Sequence, residues 1–278
     1  MRRDTVTVKQ EPSMLTSLKQ HFQNYTKTFY RGVAPFDQNI ALKAEHSIRV
    51  ARLCAEIARE ENFSVDDQEL AQAVGLLHDI GRFEQYRRFQ TFSDHQSIDH
   101  GALGAEILTD QFPQDWISRD LLPLVINTTR YHNAAALPKD QDLHVLKLLR
   151  LVRDADKIDI FRLSCNYYRR RTEHNKNSAL ELNTSENEEI CDEIYGCIMS
   201  GRPALKQDIR SLNDFKALQM SWVFDLNHEK SFAIIARGQY LDGILSSFNT
   251  NNRRAHEIYH KASAALSRQH SLPHCALI

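Results

Sequence analysis

Apolar residues recur at helical spacing through most of this chain, and this pattern limits the folds that the chain can adopt. Val50, Leu53 and Ile57 fall at positions i, i+3 and i+7, and several later segments repeat the spacing. No segment alternates apolar and polar residues as a half-buried strand does, and no internal repeat or glycine-rich phosphate loop is found. The sequence therefore predicts an all-α fold.

The helical pattern can be placed along the chain from its periodicity and its capping residues. We expect helices over residues 14–31, 39–61, 64–81, about 93 to 107, 115–131, 141–161, 187–199, 204–222 and 253–269. Residues 82–94, which are rich in arginine and aromatic residues, are predicted to form a loop.

Composition and charge exclude several classes of protein. The chain has 35 Lys and Arg against 36 Asp and Glu, so its formal charge is −1, which argues against a polybasic protein that binds nucleic acid or a membrane surface. The five cysteines include no CxxC pair, which indicates a reducing compartment. The N-terminus lacks the apolar stretch of a secretory signal, and no run of 18 apolar residues occurs. We expect a cytoplasmic protein with no membrane partner.

Two aspartates and two histidines are placed where a buried metal site would need them. His78 and Asp79 end an apolar helical segment, and a buried imidazole beside a carboxylate needs a metal or hydrogen bonds. His46 lies four residues before Val50, on the same apolar stripe. Asp156 lies four residues after Val152 and should point into the core. Three helices thus bring imidazole nitrogens and carboxylate oxygens to one interior, as a divalent cation requires.

Two further histidines follow the same logic. His100 precedes Leu103 and Ile107 on the packed side of its helix, and His132 follows Val125 by seven residues on a buried face. Four histidines and two aspartates are enough for two divalent transition metals, such as Mn, Fe, Co, Ni or Zn, bridged by a carboxylate. The predicted metal ligands are His46, His78, Asp79, His100, His132 and Asp156.

These motifs resemble the HD-domain superfamily of metal-dependent phosphohydrolases, whose pattern is H…HD…D. The segments HDIGRFEQYRRF, SIDHGALGAEIL and RDADKIDIF resemble a bacterial subgroup, and the resemblance covers roughly residues 40–163. It implies a bundle of about five core helices around the metal, and the helical pattern of the second half predicts a helical C-terminal extension. We expect a tail at residues 1–13, an HD-type domain at 14–163 and a helical region at 164–278 packed on it.

The additional histidines resemble a six-ligand subset that includes cyclic-dinucleotide phosphodiesterases and di-iron oxygenases such as inositol oxygenase. No GYP tripeptide follows His132, and Gly81-Arg82-Phe83 stands where alarmone hydrolases carry the end of HDxxED. Relatives of inositol oxygenase usually carry lysine at the position of Arg82. These departures argue against a direct transfer of any of the three activities.

The basic residues near the metal motif indicate a phosphorylated substrate. A guanidinium offers a planar donor fork that suits phosphate oxygens. We expect Asp79 and Arg82 to act in catalysis, on a nucleotide or another small phosphate ester. The predicted substrate-binding residues are Arg82, Arg87, Arg88, His95 and Lys157. The expected reaction is attack of metal-bound hydroxide on phosphorus; the alternatives are a di-iron oxygenase on the same ligands and a non-catalytic module that senses nucleotides.

Overall fold

The structure, a computed structural model, describes residues 13–113, 115–177, 179–182 and 184–269. For residues 268 and 269 it describes only the backbone. Within these ranges the chain is all-α, and its one backbone bridge outside the helices joins Ser185 and Ser211. The prediction of an all-α fold is therefore confirmed. The helices are α1 (Met14–Lys27), α2 (Ala34–Glu60), α3 (Val65–Leu77), α4 (Gly81–Phe89), α5 (His100–Asp110), α6 (Leu122–Tyr131), α7 (Leu143–Arg170), α8 (Asp192–Met199), α9 (Leu212–Ser221), α10 (Glu229–Arg237), α11 (Tyr240–Leu245) and α12 (Arg253–Gln269).

Of the predicted tail at residues 1–13, the structure describes only Ser13. Residues 1–12 lie outside the described ranges, and Ser13 caps α1 by accepting a hydrogen bond from the Thr16 amide at 3.4 Å. Within the part of the chain that the structure describes, every helix is too short or too polar to cross a bilayer.

The core of the first half lies between α2, α3 and α7. Apolar stripes meet there through fully buried side chains such as Val50, Leu77 and Val152. Helices α5 and α6 pack against each other beside this group, and Val125 of α6 is also fully buried. The predicted stripes therefore face one interior, and the histidines carried on them point there too.

The predicted loop at residues 82–94 is wrong over most of its length, because residues 81–89 form α4. Phe83 and Tyr86, three residues apart, supply a short buried stripe. Glu84 forms ion pairs with Arg87 at 2.5 Å and with Arg88, one turn further along. The arginines suggested a solvated loop, but Arg87 and Arg88 form their ion pairs with Glu84 inside the helix.

Two glycines allow the helices around His78 and Asp79 to approach closely. A Cβ on Gly81 would lie 2.2 Å from the carbonyl oxygen of His100 and 2.7 Å from the amide nitrogen of Gly104. A Cβ on Gly101 would lie 2.7 Å from the carbonyl oxygen of Arg130. Only a residue without a side chain fits at these contacts, so the start of α4, the start of α5 and the end of α6 meet backbone to backbone.

The second half packs on α7, which is longer than the sequence predicted. The predicted helix ends at Phe161, but α7 continues to Arg170, and helices α10 and α11 were not predicted. Phe161 packs edge-on against Trp222 at a ring-centroid distance of 5.7 Å and stacks on Tyr240 at 6.1 Å. The helices after α7 thus cover its C-terminal half, which explains why its apolar face extends beyond the predicted end.

Candidate metal centre

Four buried histidines converge from α2, α5 and the C-terminal ends of α3 and α6, and each has its Nδ1 atom hydrogen-bonded to an oxygen. The acceptors are Asp159 Oδ2 for His46 (2.7 Å), the Gly75 carbonyl for His78 (2.8 Å), the Asp94 carboxylate for His100 (2.8 Å) and the Thr129 carbonyl for His132 (2.7 Å). Because carbonyl and carboxylate oxygens only accept, each Nδ1 carries the proton. In its neutral form, each ring therefore presents the lone pair of Nε2 to the centre, as a metal ligand does.

The first ligand set consists of His46, His78, Asp79 and Asp156. The Nε2 atom of His46 lies 3.0 Å from Asp156 Oδ1 and 3.6 Å from Asp79 Oδ2. The Nε2 atom of His78 lies 3.6 Å from Asp156 Oδ1 and 3.7 Å from Asp79 Oδ2. Two imidazole nitrogens and two carboxylate oxygens thus surround one point.

The second ligand set consists of His100, His132 and the other oxygen of Asp79. Asp79 Oδ1 lies 3.2 Å from His100 Nε2 and 3.6 Å from His132 Nε2. The two Nε2 atoms lie only 3.0 Å apart. Since both present lone pairs, a cation between them would remove their repulsion. Asp79 is the residue shared by the two sets, one oxygen to each.

The side chains in both sets fit divalent metal ions. His46 Nε2, His78 Nε2 and Asp156 Oδ1 are buried and have no hydrogen-bond partner among the described residues. Buried polar atoms are rarely left unpaired in folded proteins, so these three orphans indicate a missing partner. Imidazole nitrogens with carboxylate oxygens are ligands of intermediate softness, suited to Mn, Fe, Co, Ni or Zn. All six predicted ligands therefore lie together, and their assignment as ligands remains a prediction.

The carboxylates are held in their charged forms. Burial alone would raise the pKa of Asp79, but the Lys43 ammonium, 2.7 Å from Oδ2, helps hold it well below its usual range. Burial likewise opposes ionisation of Asp156, and its contacts with His46 and His78 outweigh that effect and lower its pKa. Both groups thus stay anionic, as metal ligation requires.

Lys43 was not identified from the sequence. It lies on α2, three residues before His46 and thus on nearly the same face, which is the signal that could have revealed it. Its ammonium also lies 5.2 Å from the centre of the Phe92 ring, which forms one wall beside the site.

Asp159 and Asp94 were also missed, and they orient the histidines. Asp159 accepts from His46 and from Arg49 Nε at 2.8 Å; burial opposes ionisation, but these bonds lower the pKa of Asp159 to about 2. Asp94 accepts from His100 and from Arg82 Nη1 at 2.8 Å. Asp159 lies one turn after Asp156 on α7, but no spacing rule links Asp94 to His100 through the intervening 3-10 turn (Asp94–Gln96).

Arg82 lies beside Asp79, and its guanidinium is hydrogen-bonded to other groups of the protein. Its Nη1 atom donates to Asp94, to Gln85 Oε1 at 2.8 Å and to the Phe92 carbonyl at 2.6 Å. Its Nε atom lies 3.4 Å from Asp79 Oδ1. Arg82 therefore joins the shared carboxylate to the support of His100, and a direct contact with substrate remains a prediction.

The other predicted substrate-binding residues are placed differently. Arg87 and Arg88 are about half exposed and pair with Glu84. Lys157 is buried and donates to the carbonyl and the carboxylate of Asp225, at 2.7 and 2.6 Å. We therefore leave these three out of the proposed substrate site. His95 is exposed on the turn that carries Asp94, so only His95 keeps a position at the edge of the site.

Residues 44–160 match the family model described as HD domain. HD domains as a superfamily are mostly metal-dependent phosphohydrolases and bind divalent metals. Comparisons with curated proteins and with solved structures gave no match.

Proposed function

We propose that the protein is a metal-dependent phosphohydrolase that acts on a nucleotide or another small phosphate ester. The observation that carries the proposal is the division of Asp79 between two sets of imidazoles, with Oδ2 facing His46 and His78 and Oδ1 facing His100 and His132. This arrangement suits two metal ions that share one carboxylate. When bound, such ions polarise a phosphoryl oxygen and lower the pKa of a bound water to near neutrality.

The protein groups around the ligand sets favour an anionic substrate. Lys43 and Arg82 lie beside Asp79 and offset negative charge that the metals would otherwise have to balance alone. Asp156 is 23% exposed, whereas the side chain of Asp79 is 4% exposed and that of His78 fully buried. Substrate therefore approaches from the side of Asp156, and the imidazoles exclude water from the opposite side.

The proposal is tested with the purified full chain, loaded in turn with Mn²⁺, Co²⁺, Ni²⁺ or Fe²⁺. We expect release of p-nitrophenol from p-nitrophenyl phosphate or from its bis ester with at least one metal. His78→Ala and Asp79→Ala should each lower kcat/KM by at least about a hundredfold, because each removes a ligand. His174→Ala, at an exposed histidine, is the matched control and should keep full activity.

Activity that survives both ligand substitutions would overturn the proposal. Turnover that requires dioxygen and consumes it would instead support the oxygenase alternative. Tight nucleotide binding without turnover under any of the four metals would support a sensing module.

A further inference from the structure

We propose that Asp225, in the second half of the chain, is a positioning residue for the second ligand set and acts through Arg153 on the backbone of His132. This inference rests on the two ligand sets of the proposed function and deepens it, because it names what one of the two metal ions depends on. Asp225 ends a 3-10 turn (Trp222–Asp225) that lies well beyond residue 160, where the match to the HD domain ends. The matched range alone would then lack a support for one of its own ligands.

The carbonyl of His132 takes its hydrogen bond from a neighbouring helix. His132 is the C-cap of α6, and the last carbonyls of a helix have no amide partner within it. Arg153 of α7 supplies the donor, since its Nη1 atom donates to the His132 carbonyl at 3.2 Å and also to the carbonyl of Ala134. Arg153 therefore fixes the backbone from which the imidazole extends, while the Thr129 carbonyl holds the Nδ1 atom of the ring.

Asp225 holds Arg153 in place for this contact. The side chain of Arg153 is only 8% exposed, and a buried guanidinium needs a charged partner. Its Nη2 atom donates to Asp225 Oδ2 at 2.7 Å, and Lys157, one turn further along α7, donates to the same oxygen at 2.6 Å. One carboxylate thus compensates two buried cations. Without it the two cations would repel each other, and the guanidinium would lose the partner that directs it towards His132.

The turn that carries Asp225 is fixed to α7 on both sides. Trp222, at the start of the turn, packs edge-on against Phe161 at a ring-centroid distance of 5.7 Å. The amide of Asn227, two residues after Asp225, donates to Asp154 Oδ2 at 2.9 Å. Asp225 is therefore presented to Arg153 from a defined position.

The connection from Asp225 reaches only one of the two ligand sets. Among the described residues, Arg153 donates hydrogen bonds to His132, Ala134 and Asp225, and none to a ligand of the first set. The imidazoles of the first set are held by the Asp159 carboxylate and the Gly75 carbonyl, both within the matched range. A change at Asp225 should therefore weaken the second metal ion and spare the first.

The test measures binding of Mn²⁺ to the full chain by calorimetry, in the absence of substrate. The wild type should bind two equivalents. Asp225→Asn should bind one equivalent as the wild type does and the other at least about tenfold more weakly, as expected when the support of a ligand is lost. Arg153→Gln removes the same contact from the other side and should weaken the same equivalent.

Two further variants complete the test. Asp225→Glu keeps a carboxylate and should recover most of the affinity for the second ion. Asp192→Asn is the matched control, because Asp192 belongs to the same half of the chain and forms an ion pair with Arg254, but its side chain is 85% exposed. It should bind both equivalents normally.

Unchanged affinity for both equivalents in Asp225→Asn and Arg153→Gln would overturn the inference and leave the proposed function standing. Equal weakening of both equivalents would also overturn it, because Asp225 would then support the fold as a whole rather than one ligand set. If the second ion binds weakly in these variants but the wild type hydrolyses no ester with any metal, the proposed function fails and the inference stands.

Discussion

At the scale of single residues, the centre depends on which nitrogen of each imidazole carries the proton. Carbonyl oxygens hold the proton on Nδ1 of His78 and His132, and carboxylates do so for His46 and His100. Two of these four supports belong to the backbone and are insensitive to substitution. The other two, Asp159 and Asp94, can be changed separately, so each ligand set can be weakened through a residue that binds no metal itself.

Asp94→Asn should weaken the second ligand set and spare the first. The loss of the carboxylate removes the charged acceptor of His100 and one partner of Arg82, and changes of this kind lower metal affinity by about 10- to 100-fold. In a metal titration, one equivalent should bind as in the wild type and the other more weakly. Asp110→Asn, at an exposed position on α5, should bind both equivalents normally. Equal weakening of both would contradict two separate sets.

The pKa of His132 makes the stability of the metal-free protein depend on pH. Burial, with help from the nearby His100 and His78, lowers the pKa of His132 from 6.5 to about 4, although Asp79 opposes this shift. Between these values the unfolded chain binds more protons, so the free energy of unfolding falls as the pH drops from about 6.5 towards 4. His132 should account for a few kcal/mol of this loss, at about 1.4 kcal/mol per pKa unit.

Urea unfolding in the presence of a chelator, at pH values from 7 to 4.5, measures this contribution. The His132→Gln variant should lose less stability than the wild type over the same interval, because its side chain does not titrate. Parallel curves for the two proteins would show that His132 is not held neutral by the fold.

At the scale of helices, periodicity predicted the elements that carry the ligands but not the way in which they meet. The stripe containing Val50 and the one containing Val152 are buried as expected. Helix α4 was missed because its buried side includes two charged residues. Arg82 pairs with Asp94 outside the helix, and Glu84 pairs with Arg87 and Arg88 within it. Spacing reports which residues share a face, and it carries no information on which face another helix covers.

Gly81→Ala should destabilise the protein because the new methyl group would meet backbone atoms of α5 that have little room to move. We expect a loss of at least about 1–3 kcal/mol, the usual cost of overpacking, with weaker metal binding as α4 and α5 separate. Gly196→Ala is the control, since its Cβ meets nothing within 4 Å inside α8 and the change should stabilise by about 0.5–1 kcal/mol. Chemical unfolding of both variants provides the comparison, and a stable Gly81→Ala protein would contradict the close approach.

At the scale of the whole molecule, α7 serves both halves of the chain. Asp156 faces the metal centre, whereas Asp154, fully buried, accepts hydrogen bonds from the amides of Asn227 and His228. Asp154 thus holds the backbone just before α10. Its partners come from a segment more than 70 residues away, which no local pattern could reveal. We propose that residues 164–278 act as one region packed on the HD domain.

Asp154→Ala should loosen this packing. The substitution removes the buried carboxylate that accepts from the amides of Asn227 and His228, and a hydrogen bond to a charged group contributes about 1.5–3 kcal/mol. We expect a lower free energy of unfolding and faster proteolysis between α9 and α10. Asp140→Ala, at an exposed position before α7, should behave as the wild type. If the cleavage rate did not change in Asp154→Ala, the contact would not hold the two halves together.

The division of Asp79 between two ligand sets has a consequence for the order in which they mature. The second set spans only residues 79 to 132 of the chain, but the first must join His46 to Asp156. Chains leave the ribosome from the N-terminus, so a nascent polypeptide that has emerged as far as about residue 140 exposes every residue of the second set and lacks Asp156 of the first. Metal loading during synthesis would therefore begin at His100 and His132. The ion held by the first ligand set would bind later, after α7 has docked.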